Sequence, residues 1–423
     1  MWEKLQRLWS VKEIRNSILF VLGVLVIFRI IAHIPVPGVD VAALRQFLAG
    51  NQIFGLLNIF AGGSIQNFSI IMLGIGPYIT ASIIFQLLGM VIPRFEELQQ
   101  EGESGRQKIN MYTRIATVPL ALLQGYSFLH LLRSSQYQIF TSTSPWHIVA
   151  VMLIVTTGTL FLMWLGELVT ERKVGNGISL IIFAGIVASF PAHIQNALAN
   201  YNSADLMTYL LFGAIVIATV IGVVFISEGQ RNIPVQYARQ ASRGRGVGAV
   251  ASQLPLRVNM AGVIPIIFAV SIMLFPTVIA QFFVNGVGRL ASFAQQVIFL
   301  FQNQLFYGIV YFLMVFGFTY FYTSVVFQPK KIAENLQRQG GFIPGIRPGK
   351  ETEMYLSHTM TRLVFVGALF LATIAILPLL IQLITSSQNL AIGGTSLLIV
   401  VSVAIEITKQ LEAQLTMHEY DRS

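Results

Sequence analysis

Cysteine is absent from the 423-residue chain, and charged residues make up only 11% of it. Without cysteine the chain forms no disulfide framework, no thiolate nucleophile and no cysteine-ligated metal site. Soluble domains carry roughly 25% charged residues, so this chain has too little charge to cover a soluble surface of its size. Because 55% of the residues are apolar, we expect much of the surface to face lipid.

Recognisable metal-binding and catalytic motifs are also missing. The six histidines are scattered, and no two have the spacing of a metal site. The sequence has no His-Glu-x-x-His, no Gly-x-Ser-x-Gly and no paired aspartates in its apolar runs. A run ending at Lys350 fails as a phosphate-binding loop because Glu351 stands where Ser or Thr is required. We therefore expect no cofactor, and an intramembrane enzyme is disfavoured.

Ten segments are apolar over enough residues to cross the hydrocarbon core, which takes about 20. The N-terminal stretch 1–16 is basic and amphipathic, and no small-residue cleavage site follows it, so we expect no cleavable signal peptide. The fold class is therefore predicted to be an all-α membrane protein with ten transmembrane helices. The ten predicted spans are 17–34, 68–92, 115–132, 147–165, 178–194, 207–226, 261–283, 305–327, 363–384 and 392–408.

Basic residues are distributed unevenly among the loops that join these spans. With the N-terminus in the cytoplasm, 23 of the 27 lysines and arginines fall inside, and only Arg45, Arg133 and Arg289 fall outside. Cytoplasmic loops are enriched in Lys and Arg, so both termini are predicted to be cytoplasmic. The remaining basic residue, Arg29, lies within the first span, from which its long side chain can snorkel to the interface.

Two of the cytoplasmic loops, 228–258 and 328–361, are long and basic. Setting the topology takes a few charges and not thirty residues, so we predict that these loops dock a partner, with a merely solvated loop as the alternative. The ten spans divide into an N-terminal half, 1–194, and a C-terminal half, 195–423. With an odd number of spans in each half, the second half enters the membrane in the opposite sense to the first, which is typical of an inverted repeat.

Eight sequence segments occur in an order typical of one family of membrane proteins. They include 74–88, which begins Gly-Ile-Gly-Pro-Tyr, 175–188, which begins Gly-Asn-Gly-Ile-Ser, and Pro-Gly-Ile-Arg-Pro-Gly (344–349), with others at 28–40, 101–106, 161–167, 254–265 and 393–401. Through them the chain resembles the SecY family, the pore subunits of the general protein-translocation channel. The resemblance implies two five-helix halves around an hourglass pore, which passes unfolded polypeptide across the membrane or releases hydrophobic segments sideways into lipid.

The resemblance also implies a ring of isoleucines at the narrowest part of that pore. Ile75 and Ile79 are four residues apart and share one helix face, and the family match adds Ile182, Ile267 and Ile399. An apolar ring offers no hydrogen bonds to a passing chain, and it dewets and so resists ion leakage. Ordinary packing or lipid-facing isoleucines are the alternative.

A movable plug under the ring is predicted from about residue 53 to residue 67. This segment is apolar at first, breaks at two glycines and then turns polar, and non-helical backbone at depth is tolerated where it lines a water-filled cavity. An ordinary outside loop is the alternative. The residues assigned to the plug are Ile53, Phe54, Leu57, Phe60, Gly62, Gly63, Ser64, Gln66 and Asn67.

A lateral gate is predicted between the second and seventh spans. Gln86 and Asn259 are polar residues in or near apolar runs. A hydrogen bond between them, worth about 0.6–2 kcal/mol in a membrane, would hold the gate shut. Because Asn259 directly precedes the run from Met260, capping of a helix is the alternative.

Docking is assigned to Arg239 and Arg245 on the first long loop and to Arg347 on the second. The prolines and glycines around Arg347 predict a rigid turn that presents its guanidinium, with a bond back onto the same loop as the alternative. The resemblance implies the SecA ATPase or the ribosome as cytoplasmic partner, SecE and SecG as small membrane subunits, and preproteins with signal sequences as cargo. It also implies a bacterial plasma membrane and direct contact with its lipid.

A secondary transporter of small solutes is the alternative function. Ten spans, an inverted repeat and helices interrupted by Gly and Pro all fit such a protein. Transporters usually hold substrate or ion with ionisable groups at the bilayer midplane. Here Glu167, Glu228 and Glu406 lie near the ends of spans, which favours a channel.

Overall fold

A computed structural model describes residues 9–49, 58, 61–134, 139–140, 144–199, 206–237, 250–284, 288–385 and 393–420. Within these ranges the chain forms fourteen helices and three short strands. The helices are α1 Lys12–Ile31, α2 Val41–Ala49, α3 Gly76–Val91, α4 Pro93–Gln100, α5 Glu103–Ser134, α6 Pro145–Glu171, α7 Gly177–Ala199, α8 Leu206–Glu228, α9 Ile264–Val284, α10 Arg289–Gln302, α11 Gln304–Val326, α12 Pro329–Arg338, α13 Lys350–Thr385 and α14 Gly393–Tyr420. The strands are β1 Gln230–Tyr237, β2 Val250–Arg257 and β3 Gly341–Phe342.

Each of the ten predicted spans overlaps one helix. In chain order these helices are α1, α3, α5, α6, α7, α8, α9, α11, α13 and α14. By length and composition, six of the described helices can cross a membrane, and α3 with α4 makes a seventh as a pair bent by 106°. Two shorter apolar stretches, Gly177–Ala192 and Ile264–Met273, lie in α7 and α9. The chain is therefore the helical, multi-pass membrane protein that its hydropathy predicts.

The second span begins later than predicted. The hydropathy starts it at residue 68, but residues 61–75 are not helical and α3 begins only at Gly76. Gly74 and even Phe68 have positive φ values, of 56° and 44°, which an α-helix does not allow. The apolar side chains that raised the hydropathy, such as Phe68 and Ile71, are buried within the protein.

The described residues fall into two compact units. The first belongs to Met1–Thr208, Val270–Tyr307 and Val403–Ser423. Its apolar core joins α2, the non-helical segment 61–75, the end of α5 and the start of α6, with Leu44 and Leu132 fully buried. The predicted division into halves at residue 194 stays a prediction.

The second unit, Tyr209–Ala269 and Gly308–Ser402, contains both long loops, and they fold together. Strand β1 pairs antiparallel with β2, setting Ile233 opposite Leu254, and its end also pairs with β3. The sheet shares an apolar core with α12 and the start of α13, and Leu356 is fully buried in it. We call residues 230–237, 250–257 and 327–364 the loop domain.

Leu356→Ala should destabilise the loop domain by about 2–5 kcal/mol, because removing a fully buried leucine side chain leaves a cavity. Met354, on the same turn of α13, is 57% exposed, so Met354→Ala should change stability by less than about 0.5 kcal/mol. Limited proteolysis of the two loops at rising temperature measures the difference. Equal protease resistance of the two variants would contradict a packed core.

Candidate functional site

The non-helical segment 61–75 is held inside the first unit by main-chain hydrogen bonds. Val36 N donates to Phe68 O at 2.9 Å, and Ile70 N donates to Ile34 O at 3.1 Å. Ser69 is fully buried and its Oγ donates to Ile31 O at 2.8 Å. Buried backbone without helical partners is costly unless it is bonded elsewhere, and here the chain that follows α1 supplies those partners.

Arg29 of α1 also reaches this segment. Its Nη1 donates to Gly62 O at 2.9 Å, a charge-assisted bond that is stronger than a neutral one. The sequence analysis allowed this side chain to snorkel to the interface, and the structure adds that its guanidinium bonds the neighbouring segment. The position of Arg29 in the sequence could have indicated this contact, because an ionisable residue within a span is by default a candidate for a functional role.

A pair of glycines brings the segment and α7 into backbone contact. Gly62 has a φ of +69°, and a Cβ there would lie 2.8 Å from the Phe28 ring and 3.0 Å from Gly185 Cα. On the other side, a Cβ on Gly185 would lie 2.5 Å from Gly62 Cα. Real Cβ atoms do not approach other atoms this closely, so both positions require glycine.

The polar end of the predicted plug is bonded locally. Asn58 Oδ1 accepts from Gln66 N at 2.9 Å, and Asn67 Oδ1 accepts from Arg45 Nη2 at 3.1 Å. Ser64 is fully buried, and its Oγ donates to Ala61 O at 2.7 Å. The structure thus brings Gly62, Gly63, Ser64, Gln66 and Asn67 together in one short segment, whereas Ile53, Phe54, Leu57 and Phe60 lie outside the described residues.

The five isoleucines predicted to form a ring share two properties. Each lies at the start of a helix or within its first two turns: Ile75 directly before α3, Ile79 in α3, Ile182 in α7, Ile267 in α9 and Ile399 in α14. Each is also buried, with exposed fractions from 0% to 8%. Ile182 and Gly185 are three residues apart, so Ile182 shares the α7 face that contacts the segment 61–75.

The two predicted gate residues each carry an unsatisfied acceptor. Gln86 Nε2 donates to Ser82 Oγ at 3.1 Å, and Asn259 Nδ2 donates to Gly262 O at 3.3 Å. The side-chain oxygens of both are buried and have no hydrogen-bond partner among the described residues. Asn259 therefore does not cap α9 through its oxygen, which is the atom that an N-cap uses.

The predicted turn around Arg347 is present on the loop domain. Ile346 N donates to Ile343 O at 3.0 Å across Pro344 and Gly345, whose φ is +82°, the signature of a type II turn. The Arg347 side chain is exposed, and its guanidinium forms no hydrogen bond or ion pair within the described part of the chain. Arg239 and Arg245 lie outside the described residues.

A family model and individual proteins resemble the chain along most of its length. The sequence model of the SecY family matches residues 69–408. A protein translocase subunit SecY of Staphylococcus carnosus is 42% identical over 434 residues, covering 99% of each chain. The protein of the same name from Halalkalibacterium halodurans is 43% identical over 431 residues, again with 99% of each chain covered. That of Streptomyces galbus is 40% identical and covers 98% of each.

Solved structures share the fold. One described as a protein conducting channel has a TM-score of 0.62 at 20% identity, covering 93% of this chain and 91% of that one. A second is a SecY structure whose description says that the plug domain stabilises the closed state of that channel. It has a TM-score of 0.61 at 20% identity, with the same coverage. Sec61 in a canine ribosome–channel complex gives 0.58 at 19% identity, also with the same coverage.

Gly185→Ala should loosen the segment 61–75, because the new methyl group would overlap Gly62. Overpacking of this kind costs about 1–3 kcal/mol, so the population with the segment displaced should rise roughly fivefold or more. A cysteine placed at buried Ser64 reports this through its rate of alkylation, since the chain has no other thiol. Gly23→Ala is the control, because Gly23 has no atom within 4 Å of its Cβ position; equal alkylation rates in both variants would refute the contact.

Proposed function

The chain belongs to the SecY family, and we infer that it forms the polypeptide-conducting channel of a protein translocase. The observation that carries this is identity of 40–43% to translocase subunits over 98–99% of this chain. The ten apolar helices and the buried non-helical segment fit a channel that is closed at rest. A secondary transporter is not supported, since the relatives are translocase subunits.

The segment from about residue 53 to residue 67 acts as the plug of this channel. Support comes from the way its described part is held: charged hydrogen bonds run from Arg29 to Gly62 and from Arg45 to Asn67, and Gly62 contacts Gly185 of α7. A hydrogen bond to a charged group is worth about 1.5–3 kcal/mol. That is enough to keep the segment in place at rest and little enough for an entering polypeptide to displace it.

The isoleucines Ile75, Ile79, Ile182, Ile267 and Ile399 form the apolar ring of the pore. Their burial and their shared place near the starts of four helices support this role. An apolar ring contacts every polypeptide sequence by dispersion alone, so it holds none of them tightly. It also disfavours water when no polypeptide is present, which limits ion leakage.

Gln86 and Asn259 act as the polar pair of a lateral gate. Each amide has two N–H groups, of which one is bonded locally, so a second proton remains to serve the other residue's oxygen. An acceptor left unpaired in an apolar setting costs about 1–3 kcal/mol. Pairing the two amides would remove part of that cost and favour the closed gate.

The loop domain docks the partner that moves the polypeptide. We propose that the chain catalyses no reaction itself, so the free energy comes from the SecA ATPase or from the ribosome, with SecE and SecG as its small membrane subunits. An exposed, unpaired Arg347 on a rigid turn is suited to bind a carboxylate or a phosphate. The protein lies in a bacterial plasma membrane with both termini in the cytoplasm, as the charge of its loops indicates.

The function is tested with the chain and its small subunits in sealed vesicles. Addition of SecA, ATP and an unfolded preprotein with a signal sequence should give protease-protected preprotein, and vesicles without the chain should give none. Proton- or sodium-coupled uptake of small solutes by the same vesicles, with no protected preprotein, would overturn the channel in favour of a transporter.

Replacing Ile75, Ile79 and Ile182 with serine should raise the ion conductance of the resting channel, because hydroxyl groups hydrate a constriction that apolar side chains keep dry. The matched control replaces Ile217, Ile221 and Ile309, which are 62–63% exposed on their helices. Planar-bilayer recording measures both variants. A conductance no higher in the first variant than in the control would exclude these three residues from the ring.

Arg347→Glu should slow motor-driven translocation by about tenfold or more, because it replaces a charge-assisted donor with a repelling carboxylate. Arg289→Glu changes another exposed arginine, at the start of α10, which the loop charges place on the opposite side of the membrane. Translocation rates in vesicles compare the two at equal protein content. An unchanged rate for Arg347→Glu would remove this residue from the docking surface.

A further inference from the structure

A small cavity lies between the end of α5 and the start of α6, and part of its wall belongs to the same apolar core as the segment 61–75. Its volume is about 50 Å³, several times the ~10–15 Å³ that a single water molecule needs. Tyr126, His130 and Arg133 of α5 line it together with His147 of α6. Their spacing of three and four residues sets the three α5 side chains on one helix face.

The cavity offers hydrogen-bond donors that the described part of the chain does not use. His147 Nε2 is shielded from solvent and has no hydrogen-bond partner among the described residues. His130 has a ring contact with Tyr126, and neither His130 nor Arg133 forms an ion pair with a described acid. A buried ring nitrogen without a partner is costly, so a ligand that bonds it is favoured.

Acidic side chains that could neutralise the cavity are missing from this part of the chain. No aspartate or glutamate occurs between Glu103 and Glu167, which covers nearly all of α5 and α6 and the loop between them. Asp40 lies near that loop, since its N–H donates to Ile139 O, but its carboxylate caps α2 at Ala42 N. Among the residues that line the cavity, Arg133 is the one with a formal charge, which suits the cavity to an anion.

Exposed aromatic side chains indicate the depth at which the cavity lies in the membrane. Trp146, next to His147 in the first turn of α6, is 83% exposed, and Tyr126 is 41% exposed. Trp and Tyr are enriched where the hydrocarbon core meets the headgroups. The ends of two membrane spans meet at the same point, so the cavity opens at the level of the lipid phosphates.

We propose that this cavity binds the phosphate group of an anionic phospholipid. Arg133 supplies a planar fork of charged donors that matches phosphate oxygens, and each neutral histidine supplies one N–H. Leu129 and Val151, which belong to the apolar core, form the wall against which the lipid's glycerol backbone packs. Inorganic phosphate has the same chemistry and is the other source of such a ligand. The proposed site requires that α5 and α6 span the membrane, and it does not depend on which cargo the channel carries.

The test compares lipid retention by the purified complex, first held in nanodiscs of phosphatidylglycerol or of phosphatidylcholine. Native mass spectrometry counts the lipids that remain bound after extraction. The variants are Arg133→Gln alone and Arg133→Gln with His130→Gln and His147→Gln, and the control is Arg289→Gln. A parallel titration of the detergent-solubilised complex with inorganic phosphate follows the ³¹P linewidth at constant ionic strength.

Retention of phosphatidylglycerol should fall about tenfold in the triple variant and less in Arg133→Gln, with no change in the control. Phosphatidylcholine, which has no net charge, should be retained equally by all of them. Loss of ³¹P broadening without loss of retained phosphatidylglycerol would overturn the lipid in favour of free phosphate. Unchanged retention and unchanged linewidth in both variants, with translocation activity showing that they are folded, would overturn the site itself.

Discussion

Backbone amides that are buried away from water and outside a helix must find partners elsewhere, and the packing around residues 61–75 depends on how they meet that requirement. At membrane depth each unpaired group costs several kcal/mol. The strand-like chain after α1 pairs with Phe68 and Ile70, and Ser69 bonds the end of α1. Arg29 bonds the Gly62 carbonyl from the side. A charge within a span is costly in free energy, and the hydrogen bond to a carbonyl without a helical partner offsets part of that cost.

Glycines let the helices around this segment approach its backbone directly. A Cβ on Gly158 of α6 would lie 2.1 Å from Ile70 O, and one on Gly185 of α7 would lie 2.5 Å from Gly62 Cα. The segment is therefore seated between two helices by main-chain contact at these two points. Such contact leaves no room for water between the paired backbones.

Much of this could be predicted from the sequence, since the ten apolar runs, the break at the paired glycines and the turn around Arg347 are local signals. The start of the second span was misjudged because hydropathy does not distinguish a side chain buried in protein, such as Phe68, from one that faces lipid. The Arg29 bond and the Gly62–Gly185 contact join residues 33 and 123 positions apart, and no local pattern encodes such pairs. The same holds for the loop domain, where β1 and β3 pair across more than 100 residues.

The hydrogen bonds that tie the segment 61–75 to residues 31–36 all lie from Phe68 onward. From Phe68 onward the chain is tied to residues 31–36 by three hydrogen bonds, and Phe68 and Met72 belong to the apolar core. Before that point the described residues are held by the Arg29 bond and the burial of Ile65, each worth about 1.5–3 kcal/mol. The Arg45–Asn67 bond and the bond from Ser69 N to Ser64 O also hold them. Phe68 has a φ of 44°, so the chain changes direction where the firm anchoring begins. Downstream of this anchored stretch, the start of α3 is fixed by Pro77 in its first turn.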